Sequence, residues 1–486
     1  MTFTSLTYVA FLGIVFAAYW TVGRRRAQNA LLVVASYAFY AWWDWRFCSL
    51  MAVSTLVDYF VGLGLARTER PHRRRALLVV SLVCNLGLLG FFKYSDFFIS
   101  NFQALIESLG LRSSGYTLRL ILPVGISFYT FQTLSYSIDV FRRRIEPTRA
   151  FIDYCAYVTF FPQLVAGPIE RAGRLLPQFH APRRFDRALA EDGCRRILWG
   201  FCKKMILADG LSVLVEHYYG NAAARSGPGL ALATVCFAFQ IYCDFSAYSD
   251  IATGTARLFG FRLMRNFAYP YLSQSLAEFW RRWHISLSTW FRDYLYIPLG
   301  GSRCSRPRRA FSILATFTVS GFWHGAAWHF VVWGFLNGLG ILPTALRNRP
   351  TLRATDTPGG ESLLPRLAVL GRILLTFALV CVMWVFFRAH DLSQAALILY
   401  RIGSDALRLE AWREAVAYIL DESMVMRVLL LLAGFVVVEW FQRRREHPLE
   451  LPRWPRWLRW ATYTALVWVT LDLGTRETGE FIYFQF

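Results

Sequence analysis

Charged residues are scarce in this sequence: Asp, Glu, Lys and Arg make up 17% of its 486 residues, while 55% are hydrophobic. This balance excludes an intrinsically disordered chain, which combines low hydrophobicity with high charge. Apolar runs long enough to span a bilayer recur along the whole chain. These runs cover residues 6–22, 29–43, 47–66, 76–92, 120–140, 197–215, 230–254, 367–387, 424–441 and 457–473. We therefore predict an all-α, polytopic integral membrane protein in which residues 1–486 form one membrane domain.

Two further absences, and the placement of the positive charge, exclude other classes of protein. The nine cysteines include no Cys-x-x-Cys pair, so neither a zinc ribbon nor a disulfide framework is indicated. No small-residue cleavage site follows the first apolar run, which we interpret as a retained helix and not as a signal peptide. The formal net charge is +21, but the arginines lie in short loops between apolar runs. We therefore expect contact with a lipid bilayer and no binding of nucleic acid.

The distribution of arginine predicts the orientation of the chain. Arginine clusters at 24–26, 67–75 and 142–144 each follow an odd-numbered apolar run, which places them together on the cytoplasmic side. Residues 256–309 are also rich in arginine and are predicted to form a cytoplasmic-side amphipathic segment. Residues 390–423 contain six acidic residues and are predicted to form a periplasmic loop. Counting the crossings places both termini in the periplasm of a bacterial inner membrane.

Two apolar segments do not fit a simple crossing. Residues 151–168 are interrupted by Pro162, Gly167 and Pro168, so a re-entrant loop is the better interpretation. Residues 310–346 contain no charged residue and would extend roughly 55 Å as one helix, although a hydrocarbon core is about 30 Å thick. We predict a bent pair of half-spans over 310–346, which brings the total to about eleven membrane elements.

The bend should lie near Gly321 and Gly325, with His324 at its innermost point. A titratable imidazole at membrane depth suggests a polar pathway or a reaction centre, and a structural hydrogen-bonding role is the alternative. His329 lies five residues further on, about 140° around a helix, so the two rings do not share a face as a metal-binding pair would. We therefore predict no metal site and a structural role for His329.

A second histidine lies in residues 273–300. Trp280, His284, Leu287 and Phe291 recur there at helical spacing, which predicts an amphipathic interfacial helix. Tryptophan and arginine are ordinary anchors at a headgroup boundary. Alternatively, His284 faces the protein while nearby guanidinium groups meet the phosphates of a cytosolic cofactor, which makes Arg281 and Arg282 candidate binding residues.

Polar residues also interrupt the apolar run at 230–254. Asp244 and Tyr248 are four residues apart and share one helix face. They either line a polar cavity or form a buried hydrogen-bond network that fixes helix packing.

Several long motifs of this sequence resemble those of the membrane-bound O-acyltransferase family, in particular its bacterial branch of alginate O-acetylation membrane proteins. The matching segments are LPVGISFYTFQ at 122–132, FPQLVAGPI at 161–169, DFSAYSD at 244–250, residues 278–301, and WHGA at 323–326. They follow one another in the order of the family. Ala247 replaces a glycine that is common in the family, which is a small change.

The resemblance implies a fold with re-entrant segments and a central tunnel, which Asp244, Tyr248 and Gln163 would line. It implies that His324 is the catalytic histidine and His284 a second functional histidine. The C-terminal motif at 479–486 is similar to an acyl-carrying peptide of teichoic-acid D-alanylation, in which the tyrosine takes the acyl group. Tyr483 would then be the acyl acceptor, with an aromatic anchor at the interface as the alternative.

The expected reaction is acetyl transfer to an extracytoplasmic polysaccharide. No permanently bound cofactor is expected, and acetyl-CoA would be the donor substrate. A phenol is protonated at neutral pH and needs a nearby base, which His324 could supply. A periplasmic or membrane-tethered partner of the SGNH acetyltransferase type would complete the transfer. The alternatives are acyl transfer from a carrier protein, such as D-alanyl transfer, and a polysaccharide transporter or flippase.

Overall fold

The computed structural model describes residues 1–113, 115–346, 363–451, 454–474 and 481–482, and within these ranges it contains helices and no β-strand. The all-α prediction is therefore confirmed. Its α-helices are α1 Leu6–Thr21, α2 Arg25–Asp44, α3 Cys48–Arg67, α4 Pro71–Ser108, α5 Ile126–Phe141, α6 Phe151–Thr159, α7 Phe161–Leu164, α8 Ala172–His180, α9 Arg187–Cys202, α10 Asp209–Tyr219, α11 Gly227–Leu258, α12 Leu276–Arg282, α13 Ile285–Phe291, α14 Arg306–His324, α15 Trp328–Leu346, α16 Leu363–Arg388, α17 Leu392–Ser404, α18 Leu409–Asp421, α19 Ser423–Gln442 and α20 Arg456–Leu473.

Six stretches of the described chain are long and apolar enough to cross a membrane. They are Arg25–Arg67, Pro71–Ser108, Gly227–Leu258, Trp328–Leu346, Leu367–Arg388 and Ser423–Gln442. The most apolar part of α4 is only 17% buried, as expected of a helix that faces lipid, whereas that of α11 is 72% buried. The polar residues of α11 therefore lie inside protein. The total of about eleven membrane elements, which included shorter and broken segments, stays a prediction.

The chain divides into two compact units. Unit 1 comprises Met1–Cys194 and Ala252–Met264, and unit 2 comprises Arg195–Ile251 and Arg265–Phe486. The prediction of one membrane domain over the whole chain stays a prediction.

In unit 1, helices α3, α4 and α5 pack around the buried carboxylate of Asp58. The hydroxyl of Ser81 donates a hydrogen bond to this carboxylate, Asn85 Nδ2 donates at 2.7 Å, and the hydroxyl of Ser137 donates at 2.5 Å. We call these four residues the Asp58 cluster. Because each helix contributes at least one member, the cluster fixes the packing of the three helices.

Two predicted segments of unit 1 have different boundaries in the structure. The run 120–140 begins its helix only at Ile126, because Pro123 precedes it and Gly125 has a φ of 77°, which ends any helix there. Residues 151–168 form α6 and the short α7, with a break at Phe160 and Pro162 in the first turn of α7. The predicted interruption is therefore present, and the re-entrant path stays a prediction.

In unit 2, α14 and α15 form the bent pair that was predicted for 310–346. Each helix has 19 residues and is thus ~28 Å long, but of the two only α15 is among the six stretches that are long and apolar enough to cross a membrane. The half-span interpretation stays a prediction, and His324 is the last residue of α14, at the end opposite its arginine-rich start. Gly321 and Gly334 are needed for close packing, since a Cβ on Gly321 would lie 2.2 Å from the carbonyl of Phe330.

Candidate functional site

The segment 273–300 is not one helix. It forms α12 and α13, and His284 between them adopts a left-handed conformation with a φ of 41°. Asn266 explains the break, because its backbone carbonyl accepts from the N–H of Ile285 at 2.9 Å and its side-chain oxygen accepts from Ser286 Oγ at 2.8 Å. Asn266 lies 18 to 20 positions before the residues that it contacts, so these long-range hydrogen bonds replace those of a continuous helix. The predicted continuous helix is therefore wrong, although its apolar residues are buried as expected.

His284 faces the protein interior, as one of the two interpretations of this segment held. Its side chain is fully buried, and its Nδ1 lies 3.1 Å from Asn266 Oδ1. Since an amide oxygen only accepts, this contact favours the tautomer that carries the proton on Nδ1. Burial lowers the pKa of His284 to about 3, so the ring is neutral at physiological pH.

His324 lies inside a box of aromatic rings. Its ring centroid is 4.9 Å from that of Trp323, 5.1 Å from that of Trp333 and 5.5 Å from that of Phe387. The Trp323 ring is also 6.4 Å from the ring of His284. The structure therefore brings the two predicted histidines close to the same indole.

A groove of about 280 Å³ lies among α12, α13, α14 and α15. Thr316 and Ser320 line it from α14 and precede His324 by two turns and one turn of the same helix. Arg281 and Arg292 also line the groove. An apolar groove that carries a few hydroxyl groups and guanidinium groups is typical of a site for an extended, anionic small molecule.

The arginines predicted to bind a cofactor have different surroundings. Arg281 lines the groove, whereas Arg282 turns to Glu278 at 2.6 Å and to the carbonyl of Ala268 at 3.4 Å. Arg292 was not predicted. It begins a π-helical turn, Arg292–Tyr296, which widens the helix and has no signal in the spacing of apolar residues.

The polar residues of α11 are engaged by two consecutive lysines. Lys204 Nζ lies 2.9 Å from Asp244 Oδ1 and 2.8 Å from Asp209 Oδ1. Lys203 Nζ lies 2.7 Å from Asp250 Oδ2. Both lysines belong to a π-helical turn, Lys203–Ala208, that interrupts the apolar run at 197–215. They were not predicted, although two adjacent lysines in an apolar run are a signal that could have revealed buried ion pairs.

Two residues of the C-terminal motif reach this part of unit 2. The N–H of Ile482 donates to Asp244 Oδ2 at 2.8 Å, and the ring of Phe481 lies 4.6 Å from that of Tyr248 and 5.6 Å from that of Phe245. Both C-terminal residues are buried. Tyr483 itself lies outside the described residues.

The remaining predicted residues have simple surroundings. Gln163 belongs to unit 1, where it is buried and donates to the carbonyl of Tyr157 at 3.4 Å. The proposed tunnel-lining roles of Gln163, Asp244 and Tyr248 stay predictions. His329 is buried in the first turn of α15 against Phe330. Within the described part of the chain, no three His, Cys, Asp or Glu side chains are grouped so that they could hold a metal ion.

Comparison with known proteins gives concordant matches. Residues 137–351 match the model of MBOAT, the membrane-bound O-acyltransferase family. The chain is 39% identical over 397 residues to a "Probable alginate O-acetylase AlgI" of Azotobacter vinelandii, covering 81% of this chain and 76% of that protein. It is 36% identical over 505 residues to the protein of the same name from Pseudomonas putida, covering 100% of each. A "Peptidoglycan O-acetyltransferase" of Helicobacter pylori is 34% identical over 427 residues, or 82% of this chain and 78% of that protein.

Proposed function

This chain belongs to the membrane-bound O-acyltransferase family and is a membrane O-acyltransferase, and we propose that it takes an acetyl group from cytosolic acetyl-CoA for an extracytoplasmic polysaccharide. The observation that carries this proposal is the groove along α14. Arg281 and Arg292 line this groove, and helix α14 ends at the buried His324.

In this proposal, the groove holds part of an extended thioester donor. Its volume of about 280 Å³ is just below the usual range of small-molecule sites, which is ~300 to ~1,000 Å³. Guanidinium groups are suited to the phosphates of a coenzyme, while hydroxyl groups such as those of Thr316 and Ser320 suit the amides of its arm. The bulky nucleotide would thus stay near the arginines while the thioester reaches His324.

In the proposed reaction, His324 is the general base. It takes the proton of the attacking hydroxyl while the oxygen bonds to the thioester carbonyl carbon. The carbon–sulfur bond then breaks, and the proton passes from His324 to the coenzyme thiolate. The aromatic rings around His324 exclude bulk water, which protects the thioester from hydrolysis.

We propose that Tyr483 supplies the first hydroxyl. Its neighbours Phe481 and Ile482 are buried against α11, where Phe245 lies 4.6 Å from the ring of His284. A periplasmic or membrane-tethered partner of the SGNH type would then move the acetyl group to a glycan. Two of the relatives reported above are named for alginate and one for peptidoglycan, which supports a glycan as the final acceptor.

The same proposal includes the location of the protein. Arginine-rich loops on one side and the acidic residues 390–423 on the other support a bacterial inner membrane, with both termini in the periplasm. Residues 390–423 form two amphipathic helices, α17 and α18, which is compatible with an exposed periplasmic loop.

The experiment is a transfer assay with radiolabelled acetyl-CoA and purified protein in lipid nanodiscs. We expect release of free coenzyme A and a covalent acetyl group on Tyr483, identified by mass spectrometry of the C-terminal peptide. Tyr483→Phe, the matched control, should remove the label and keep the fold. An unmodified Tyr483 during active turnover would refute the tyrosine relay and leave direct transfer.

Two other activities are distinguished by the same assay. If the protein needs an acylated carrier protein and ignores acetyl-CoA, D-alanyl or another carrier-dependent transfer is the function. If a glycan passes through the membrane of proteoliposomes without any acetyl-CoA, the protein is a transporter or flippase. Either result would contradict the acetyl-CoA proposal.

A further inference from the structure

Two consecutive lysines form ion pairs of different kinds. Lys203 contacts Asp250 at 2.7 Å and donates to Ser246 at 2.7 Å, and both of these partners lie on α11. Lys204 contacts Asp244 on the same helix at 2.9 Å. The two ion pairs share residue type and helix α11, although Asp250 is more exposed than Asp244 and Lys204 also contacts Asp209 at 2.8 Å. The comparison of interest is therefore between the two aspartates of α11.

The difference lies in the second oxygen of each aspartate. Asp250 Oδ1 faces another side chain, the guanidinium of Arg196 at 3.8 Å. Asp244 Oδ2 instead accepts from the backbone N–H of Ile482 at 2.8 Å. The Asp250 pair therefore joins helices, whereas the Asp244 pair joins a helix to the C-terminal segment.

Residues 481–482 contact α11 through one aromatic side chain and one backbone hydrogen bond. Phe481 packs against Phe245 and Tyr248, which follow Asp244 on α11, and the backbone N–H of Ile482 donates to Asp244. A hydrogen bond to an ionised carboxylate is about twice as strong as one between neutral groups. The ammonium group of Lys204 favours the charged form of Asp244, and its contact with Oδ1 fixes the direction of Oδ2.

We propose that Asp244, oriented by Lys204, is the positioning residue that docks residues 481–482 beside the ring pair Phe245 and His284. The inference rests on the proposed function only for its purpose, which is to present the following tyrosine for acylation. Asp244 does not touch the reacting atoms. The carboxylate of Asp244 binds the backbone of Ile482 and so determines the position of residues 481–482, while the Phe481 side chain packs on α11.

Hydrogen–deuterium exchange of the full-length protein in nanodiscs tests this inference without an activity measurement. In the wild type, the amide of Ile482 should exchange slowly, because it is buried and hydrogen-bonded. In Asp244→Asn, which loses the charge and the attraction to Lys204, its exchange should accelerate by about tenfold or more. Asp250→Asn is the matched control, because it removes the charged partner of Lys203 and Asp250 makes no hydrogen bond with Ile482.

Unchanged exchange in Asp244→Asn, or equal acceleration in Asp250→Asn, would overturn the inference. If Asp244→Asn does not fold, Ile482→Pro removes the donor alone and leaves both ion pairs intact, with Ile482→Val as its control. Proteinase K should then trim the C-terminus of Ile482→Pro at least about fivefold faster than that of Ile482→Val, as the docking hydrogen bond is lost. Equal trimming would contradict docking.

Acetyl transfer is measured on the same samples to separate the two proposals. Faster exchange together with a parallel loss of Tyr483 acetylation supports both. Faster exchange with unchanged coenzyme A release and unchanged acetylation supports docking by Asp244 and refutes its purpose in the tyrosine relay.

Discussion

Asp58 and Asp244 are both buried carboxylates on apolar helices, yet their partners are of opposite kinds. Asp58 accepts hydrogen bonds from the neutral groups of Ser81, Asn85 and Ser137. Asp244 is paired with the ammonium group of Lys204 and accepts from the backbone of the C-terminal segment. The first arrangement occurs in unit 1 and the second in unit 2.

This difference separates stabilising polar groups from functional ones. Neutral donors on neighbouring helices fix packing without removing a second charge from water. A buried ion pair has a larger desolvation cost and is weak evidence for stability, so its retention calls for another reason. For Asp244 the reason that we propose is docking of the C-terminal segment beside the histidine site. Mutations in the two regions should therefore affect different measurements.

The largest effect is expected for His324→Ala. Removal of a general base typically lowers the rate of transfer by about 10²- to 10⁴-fold. Thermal stability should change little in comparison, because Trp323, Trp333 and Phe387 keep the surrounding box. Acetyl transfer and the melting temperature are measured on the same preparation.

His329→Ala is the control for His324→Ala, since it removes a nearby buried imidazole from the same helix pair. It should retain most of the transfer rate. Equal losses in the two variants would show that the histidines of unit 2 serve packing, and the distinction between the two regions would fail.

Asp58→Ala should lower stability and leave acetyl transfer nearly unchanged, which is the opposite of the result expected for His324→Ala. The three donors of the Asp58 cluster would lose their acceptor, which should lower the free energy of unfolding by about 3 kcal/mol. Ser137→Ala removes one donor only and should cost about 1 kcal/mol. Melting temperatures in detergent give the order of the variants. Transfer per folded molecule should stay near the wild-type value, and a selective loss of transfer would assign Asp58 to the chemistry.

The features that could be predicted from the sequence depend on local pattern. Hydrophobic runs predicted the helices, and the glycines around His324 predicted the bend between α14 and α15. Long motifs predicted the family. Each of these signals is contained in a continuous stretch of the chain, so no knowledge of distant contacts was required.

The features that were missed depend on contacts between distant residues. The break at His284 follows from hydrogen bonds to Asn266, which helical spacing does not reveal. The roles of Lys203 and Lys204 follow from a π-helical turn, which directs two adjacent side chains to two aspartates of one helix.

The stability of unit 2 should depend on pH through the buried His284. The pKa of His284 falls from 6.5 to about 3 on burial, so between these values the unfolded chain binds the proton and the folded protein does not. Its contribution to stability is complete above pH 6.5 and declines as the pH falls. The slope should approach about 1.4 kcal/mol per pH unit, or about 2 kcal/mol between pH 6.5 and 5.

Melting temperatures from pH 7.5 to 5 measure this slope, and His284→Gln provides the comparison. The variant should be less stable at pH 7.5 and should show a shallower decline, because its side chain does not titrate. Identical slopes in the two proteins would mean that His284 is not the titrating group.

The smallest effect is expected at the groove. Two neighbouring arginines there can be compared in the same way as Asp58 and Asp244, because one is assigned to function and the other to packing. Arg281 lines the groove, whereas Arg282 is bound to Glu278 within the protein. Arg281→Ala should raise the KM for acetyl-CoA about three- to tenfold, as expected for one exposed guanidinium near a phosphate, and should weaken the dependence of KM on salt. Arg282→Ala should lower the melting temperature and leave KM nearly unchanged. If the two variants raise KM equally, the coenzyme binds elsewhere, because Arg281 lines the groove and Arg282 does not.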